Sequence, residues 1–196
     1  MQEYYDRRAT EYDDWYLGSG LFAERERPGW EDELKHLVEA LSALPNGRTL
    51  DVACGTGFLT RHLRGEVVGL DQSESMLEAA RRQAPLAVFV QGDALSLPFP
   101  DGSFDRVFTA HFYGHLEPFE RKTFLAEARR VSRELVVVDS ARASAEQDEM
   151  RQERTLNDGS RWEVYKRWFT PAGLVCELDG GVTIFDGRWF VAVRSP

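Results

Sequence analysis

The sequence predicts an α/β protein: a doubly wound, mainly parallel sheet of seven strands whose last two strands form an antiparallel hairpin. Three observations carry this. Short apolar runs recur through the middle of the chain, with helical-period stretches between several of them. Gly55 and Gly57 follow the first run at once, where a strand must turn sharply. Near the end, Val182-Thr183-Ile184-Phe185, Asp186-Gly187 and Arg188-Trp189-Phe190-Val191-Ala192-Val193 read as two strands about a tight turn.

In chain order, residues 3–16 set Tyr5, Ala9, Tyr12 and Tyr16 on one helical stripe. That helix either packs its aromatics on the body or serves as a lid over a ligand, hinged at Gly18-Ser19-Gly20. Trp30, Leu34, Leu37, Leu41 and Leu44 form the next stripe, stopped by Pro45-Asn46-Gly47. Strand one is 48–52, and a helix carrying Phe58, Leu59, His62 and Leu63 is expected behind the glycine turn. Strand two ends at Asp71. A helix over 73–83 opens at Ser73, a suitable cap. Strand three is 86–90, residues 97–102 are loop, strand four is 104–110 and a helix spans 119–131. The run 135–139 reads as a parallel strand covered on both faces. Residues 141–155 look helical and polar, 159–169 suit either strand or helix, and Thr170-Pro171 opens a short helix.

With 196 residues, 42% hydrophobic and 29% charged, the chain suits one domain with a sizeable core. Within it, 1–45 is expected as a helical lid and helix, 46–140 as the ligand-binding core, and 141–196 as an outer segment with the closing hairpin. The net charge of −9 disfavours non-specific binding to nucleic acid or anionic membrane. Cys54 and Cys176 are too few for a disulfide framework or a cysteine-built zinc site. The polar N-terminus lacks the apolar core of a signal peptide, and no apolar run approaches the roughly 20 residues of a membrane span. The expectation is a cytoplasmic protein, monomer or homodimer, without bound metal.

The chemistry gathers at the strand tips. In a doubly wound sheet a ligand sits at the carboxyl ends where strand order reverses, here Ala53 to Gly57, Asp71, Asp93 and the segment Thr109 to His115. A glycine turn after strand one, with an acid ending strand two, is the geometry for gripping a nucleoside: the turn admits it and Asp71 holds the ribose hydroxyls. Asp93 stands where a base amino group could be read, with the Ala94 N–H facing a ring nitrogen. Three acids ring the crevice (Asp51, Asp71 and Asp93) and no Lys or Arg stands near the turn. The glycine pattern of dinucleotide binders is broken at Ala53 and Thr60. A ligand with an adenosine end, a positive charge and no phosphate suits such a site.

The motifs Asp51-Val52-Ala53-Cys54-Gly55-Thr56-Gly57, Val68-Gly69-Leu70-Asp71-Gln72-Ser73, Gly92-Asp93-Ala94 and Phe104-Asp105-Arg106-Val107 resemble, in order, those of class I S-adenosylmethionine-dependent methyltransferases. Within these it is similar to the small-molecule group related to ubiquinone and menaquinone methyltransferases. The resemblance covers roughly residues 46–140, and the family's last two strands agree with the terminal hairpin of a Rossmann-like sheet. It implies S-adenosyl-L-methionine as cofactor, with Asp51 and the backbone of Ala53, Cys54, Gly55, Thr56 and Gly57 on its methionine part. It further implies Asp71 on the ribose, Gln72 and Met76 flanking the adenine, Gly92, Asp93 and Ala94 at its edge, and Thr109 against the methionine amino group. Ala53 stands where many members have glycine.

The implied reaction is in-line displacement onto a small-molecule acceptor, for which the protein mainly supplies alignment. His111 and His115, just past strand four, are the candidate bases where the acceptor must lose a proton; packing at the strand end is the alternative. No third ligand accompanies them for a metal. Tyr5, Tyr12 and Tyr16 from the lid, His115, and Arg167 or Arg161 for an acidic acceptor are the candidate acceptor contacts. Two rival readings share the fold: a nicotinamide-dinucleotide oxidoreductase, disfavoured by the broken glycine pattern, and a non-catalytic nucleoside-binding partner protein. Macromolecular acceptors are disfavoured because the chain lacks an Asn-Pro-Pro-Tyr-type tetrapeptide after strand four and a basic patch interleaved with aromatics.

Overall fold

The computed structural model describes residues 2–196. Strands β1 (Gly47–Val52), β2 (Gly65–Asp71), β3 (Val88–Gln91), β4 (Arg106–Ala110), β5 (Leu135–Ser140), β8 (Val182–Asp186) and β9 (Phe190–Ser195) form one sheet. Its order is β3-β2-β1-β4-β5-β9-β8, the first five parallel and β9 antiparallel to both β5 and β8. The expected seven-stranded, mainly parallel sheet with its antiparallel C-terminal hairpin is therefore present. Strand order reverses between β1 and β4, which fixes where a crevice can open.

Helices cover both faces: α3 (Trp30–Ser42) on one, α5 (Pro118–Val131) and α6 (Pro171–Glu177) on the other. β5 shows why an unbroken apolar run is needed. All six of its residues are buried. Val136 and Val138 pack with Leu37 and Leu41 of α3, while Leu135 and Val137 pack with Phe124 and Leu174 of the other layer. α4 (Glu74–Gln83) opens as expected, its Ser73 hydroxyl accepting the Met76 N–H, and Thr170 caps α6 by accepting from Gly173.

Four expectations need correction. The helix over 3–16 is broken: α1 (Gln2–Arg8) gives way to turns, and α2 (Asp14–Leu17) is a single turn ended by Gly18 at φ +66°. No α-helix follows the glycine turn. Residues 58–64 hold only one 3₁₀ turn, Thr60–His62, because so few residues separate Gly57 from β2. Residues 141–155 form no α-helix: Arg142–Ser144 make one 3₁₀ turn, and 149–155 form β6 (Glu149–Thr155), paired antiparallel with β7 (Arg161–Arg167) in a separate two-stranded ribbon. β6 is a mostly polar strand without an apolar alternation, so its pairing with β7 decides its form rather than its own pattern. The hairpin turn is longer than the two-residue turn expected at Asp186-Gly187. Glu33 of α3 organises it by accepting the N–H groups of Arg188, Trp189 and Phe190.

Candidate functional site

At the carboxyl ends of β1, β2 and β4 a crevice opens, where a doubly wound sheet places its ligand. Ala53 and Gly55 line it after β1, Asp71 and Gln72 at the end of β2, and Gly92, Asp93 and Ala94 after β3. Met76 enters from α4, Ala110, His111 and His115 follow β4, and Tyr5 and Tyr12 close it from the N-terminal segment. Its carboxylates are Asp71, Asp93 and Glu120; among the described residues no Lys or Arg lines it. A smaller hollow continues beneath Tyr12 and Tyr16, lined by Asp51, Ala53, Cys54 and Thr56.

Asp71 is the keystone of this arrangement. Its two oxygens accept the Gly55 and Ser73 N–H groups, each at 2.9 Å, so the acid ending β2 fixes both the glycine turn and the start of α4. Burial pushes its carboxyl upward, and these backbone donors oppose that shift. A carboxylate has about four acceptor positions, so these two bonds leave capacity for ligand hydroxyls. Asp51 is deeper, 2% exposed, and accepts the Thr60 hydroxyl at 2.6 Å. Burial raises its pKa to about 7, with the Thr60 bond lowering it and the Asp71 charge raising it further. Burial likewise pushes the Cys54 thiol well up, the opposite of an activated nucleophile.

The glycines divide their work. At Gly55 (φ +53°) a Cβ would meet the Tyr12 ring at 3.5 Å, so the ligand side of the turn is closed by the lid. At Gly57 (φ +79°) a Cβ would stand 3.1 Å from the Ala80 Cα, so its bareness serves packing against α4, and Gly57 lines neither hollow. Ala53 holds φ +57°, a left-handed conformation that glycine adopts without strain. Thr109 is wholly buried and donates its hydroxyl to the Val52 carbonyl at 2.8 Å; it reaches neither hollow, and Ala110 takes that place.

Both histidines are uncharged walls. His111 (φ +54°) stands edge-on to Trp15 with ring centroids 4.6 Å apart. Neither of its ring nitrogens has a partner among the described residues, and burial pulls its pKa to about 3. His115 places Nδ1 2.7 Å from the Tyr165 carbonyl. A carbonyl only accepts, so Nδ1 carries the proton and Nε2 presents the lone pair. Burial first, then the charges of Lys166 and Arg154, hold this ring well below the usual histidine range. Proton abstraction at neutral pH therefore has little driving force at either ring.

The candidate acceptor contacts are not all brought together. Tyr5 and Tyr12 line the crevice. Tyr16 stacks on Phe58 at 4.1 Å and roofs only the smaller hollow. Arg167 pairs with Glu149 of β6 and Glu177 of α6, and Arg161 with Glu153, and neither lines the crevice.

One pair escaped the sequence reading. Asp139, wholly buried at the tip of β5, meets Lys166 of β7 at 2.5 Å and accepts the Gly114 N–H at 2.7 Å. It thereby holds the ribbon and the turn that carries His115 to the sheet. An acid closing the apolar run 135–138 was a visible signal; its lysine partner was not.

Residues 50–136 match the family model described as a methyltransferase domain. The chain is 41% identical over 100 residues to a demethylmenaquinone methyltransferase of Renibacterium salmoninarum, covering 50% of this chain and 41% of that protein. It is 38% identical over 102 residues to the Thermotoga maritima demethylmenaquinone methyltransferase, 50% of this chain and 44% of that one. Among solved structures, the DhpI–SAM–HEP complex superposes with a TM-score of 0.74 at 26% identity, covering 99% of this chain and 95% of that one. The likeness is to methyltransferases, in residues 50–136 by sequence and over nearly the whole chain by fold. The chain spans less than half the length of these curated relatives. The DhpI–SAH complex extends the likeness over 98% of the chain, at 27% identity and a TM-score of 0.72. Residues 141–196 lie outside the family model and form the ribbon, α6 and the closing hairpin.

Proposed function

We propose that this protein transfers a methyl group from S-adenosylmethionine to a small-molecule acceptor. The observation that carries the reading is Asp71: a buried acid at the tip of β2, locked to the glycine turn by the Gly55 N–H, in a crevice that among the described residues is lined by acids and by no Lys or Arg. A phosphate-bearing dinucleotide would meet repulsion there, whereas a cationic, phosphate-free nucleoside is favoured. DhpI, which superposes over nearly the whole chain, is described with SAM and with SAH.

In this reading Asp71 accepts the ribose hydroxyls. Gln72 and Met76 flank the adenine, and Gly92, Asp93 and Ala94 meet its edge. Asp51 and the turn from Ala53 to Thr56 hold the methionine end in the smaller hollow. When bound, the cofactor supplies a methyl on a sulfonium that leaves as a neutral thioether. The chain's own part is alignment and exclusion of water: Tyr5 and Tyr12 cover the crevice, while His111 and His115 wall the acceptor side. The same proposal makes the protein a cytoplasmic monomer or homodimer; two unpaired cysteines suit a reducing compartment.

Calorimetry with S-adenosylhomocysteine tests the reading. The wild type binds it in preference to a nicotinamide dinucleotide. Asp71→Ala loses about 100-fold or more in affinity, the loss of two charge-assisted hydrogen bonds at about 1.5–3 kcal/mol each. Unchanged affinity in the variant overturns the assignment.

A further inference from the structure

Of the two histidines that line the crevice, His115 has one ring nitrogen engaged and one free. Its Nδ1 donates to the Tyr165 carbonyl of β7 at 2.7 Å, which leaves Nε2 as a lone pair. That Nε2 has no hydrogen-bond partner among the described residues and, unlike both nitrogens of His111, is not enclosed by protein. The hollow its ring lines is the crevice, in company with Tyr5, Phe112 and Leu116. A fixed hydrogen-bond acceptor thus meets the space open to a ligand, among largely apolar walls.

The ribbon holds that ring in place. Gly114 packs directly on the β7 backbone: a Cβ there would stand 2.6 Å from the Arg167 carbonyl. The Gly114 N–H donates to Asp139, and Asp139 pairs with Lys166, the chain neighbour of Tyr165. The turn that carries His115 and the carbonyl that sets its tautomer are therefore tied together through one buried pair. Burial, then the charges of Lys166 and Arg154, keep the ring neutral, so it does not oppose a sulfonium in the same crevice. Tyr5 is un-ionised as well, its phenol pushed up to about 12 by burial. The carboxylates of the lining carry charge with their lone pairs; His115 offers a lone pair without one.

We propose that His115 selects the acceptor: its Nε2 takes a hydrogen bond from an un-ionised hydroxyl, so that the acceptor is a neutral, hydroxyl-bearing small molecule. This rests on the methyltransferase reading and names the substrate class for it. A nitrogen whose proton is held on the far side of the ring accepts an O–H, repels an oxyanion and gains nothing from an ether oxygen. The contact is one of recognition. The proton stays on the hydroxyl oxygen, and His115 orients the acceptor without taking up charge. Because β7 sets the tautomer, this preference is written outside the residues that the family model matches.

The test is titration of the protein, first with S-adenosylhomocysteine and then, once saturated, with 2-naphthol beside its methyl ether at pH 7. The naphthol is expected to bind about three- to tenfold tighter, the worth of one neutral hydrogen bond, with an advantage that NaCl leaves unchanged. His115→Phe keeps an aromatic wall and abolishes that advantage while S-adenosylhomocysteine affinity stays within about twofold. Nitrogen NMR of the wild-type histidine rings reads the tautomer without relying on any variant. The proton is expected on Nδ1, and the bare Nε2 signal shifts on adding naphthol but not the ether. Naphthol that binds no tighter than the ether, an advantage that survives in His115→Phe, or a His115 ring protonated at Nε2 overturns the proposal and leaves the cofactor assignment standing. Failure of the first titration overturns both.

Discussion

The strand-tip wall of the crevice and the wall made by lid and ribbon hold their polar groups by different means. At the strand tips, Asp71 is fixed by backbone N–H groups and Asp51 by a hydroxyl one turn away in the same β1–β2 unit. Those partners are set by strand register and by a turn of few residues, so the geometry is local. On the other wall, Asp6 accepts from Ser73, Asp13 from Thr56 and Gln83, and Glu11 from the Asn157 N–H. There the N-terminal segment bridges the glycine turn, α4 and the ribbon, joining positions more than 140 residues apart. One wall is built by backbone, the other by side chains that must find one another. The first suits an invariant ligand and the second one that differs from protein to protein.

The comparison breaks most visibly at its joint, the Asp139–Lys166 pair. Lys166→Met leaves a buried carboxylate without its cation, and a loss of about 3–5 kcal/mol of stability is expected by denaturant unfolding. A loss under about 1 kcal/mol would show that ribbon and sheet are held together without this pair.

Gly57→Ala and Gly55→Ala sharpen the account of the strand-tip wall. Gly57→Ala combines the left-handed strain of about 1–2 kcal/mol with overpacking of about 1–3 kcal/mol against Ala80. Gly55→Ala meets Tyr12 at ordinary contact distance and bears the strain alone. Thermal unfolding should order the two in that way, and equal shifts would remove the distinction.

A further expected effect is a pH dependence. Asp51 is raised to about 7 in the fold from about 3.9 unfolded. The native state therefore keeps a proton that the unfolded chain has lost, and this stabilising contribution disappears as pH rises from about 4 through 7. Binding of a cationic amino group asks for the ionised form, so S-adenosylhomocysteine affinity should rise with pH up to about 7 and then level. The slope approaches tenfold per pH unit on the acid side, and Asp51→Asn should flatten it. His111, held to about 3, adds no inflection between pH 6 and 8. An Asp51→Asn profile identical to the wild type would assign the dependence elsewhere.

The sequence alone determined the sheet, the place of the strand-tip crevice and the residues that line it after β1, β2 and β3. Those features are written in short range: an unbroken apolar run needs cover on both faces, a glycine turn follows a strand directly, and an acid ends the next one. It also brought Tyr5 and Tyr12 to the crevice as candidate acceptor contacts and His111 and His115 as candidate bases, because each lies within a few positions of a strand tip or on one helical stripe. What only the tertiary structure decided was everything that depends on a distant partner. The polar segment 149–155 becomes a strand because β7 pairs with it. Lys166 descends to Asp139, Arg167 is neutralised by Glu149 and Glu177, and Thr109 turns its hydroxyl to Val52. Periodicity and turn chemistry act over a few residues and can be read in order. Charge pairing and burial are properties of neighbours in space, and a linear pattern carries no record of who those neighbours will be.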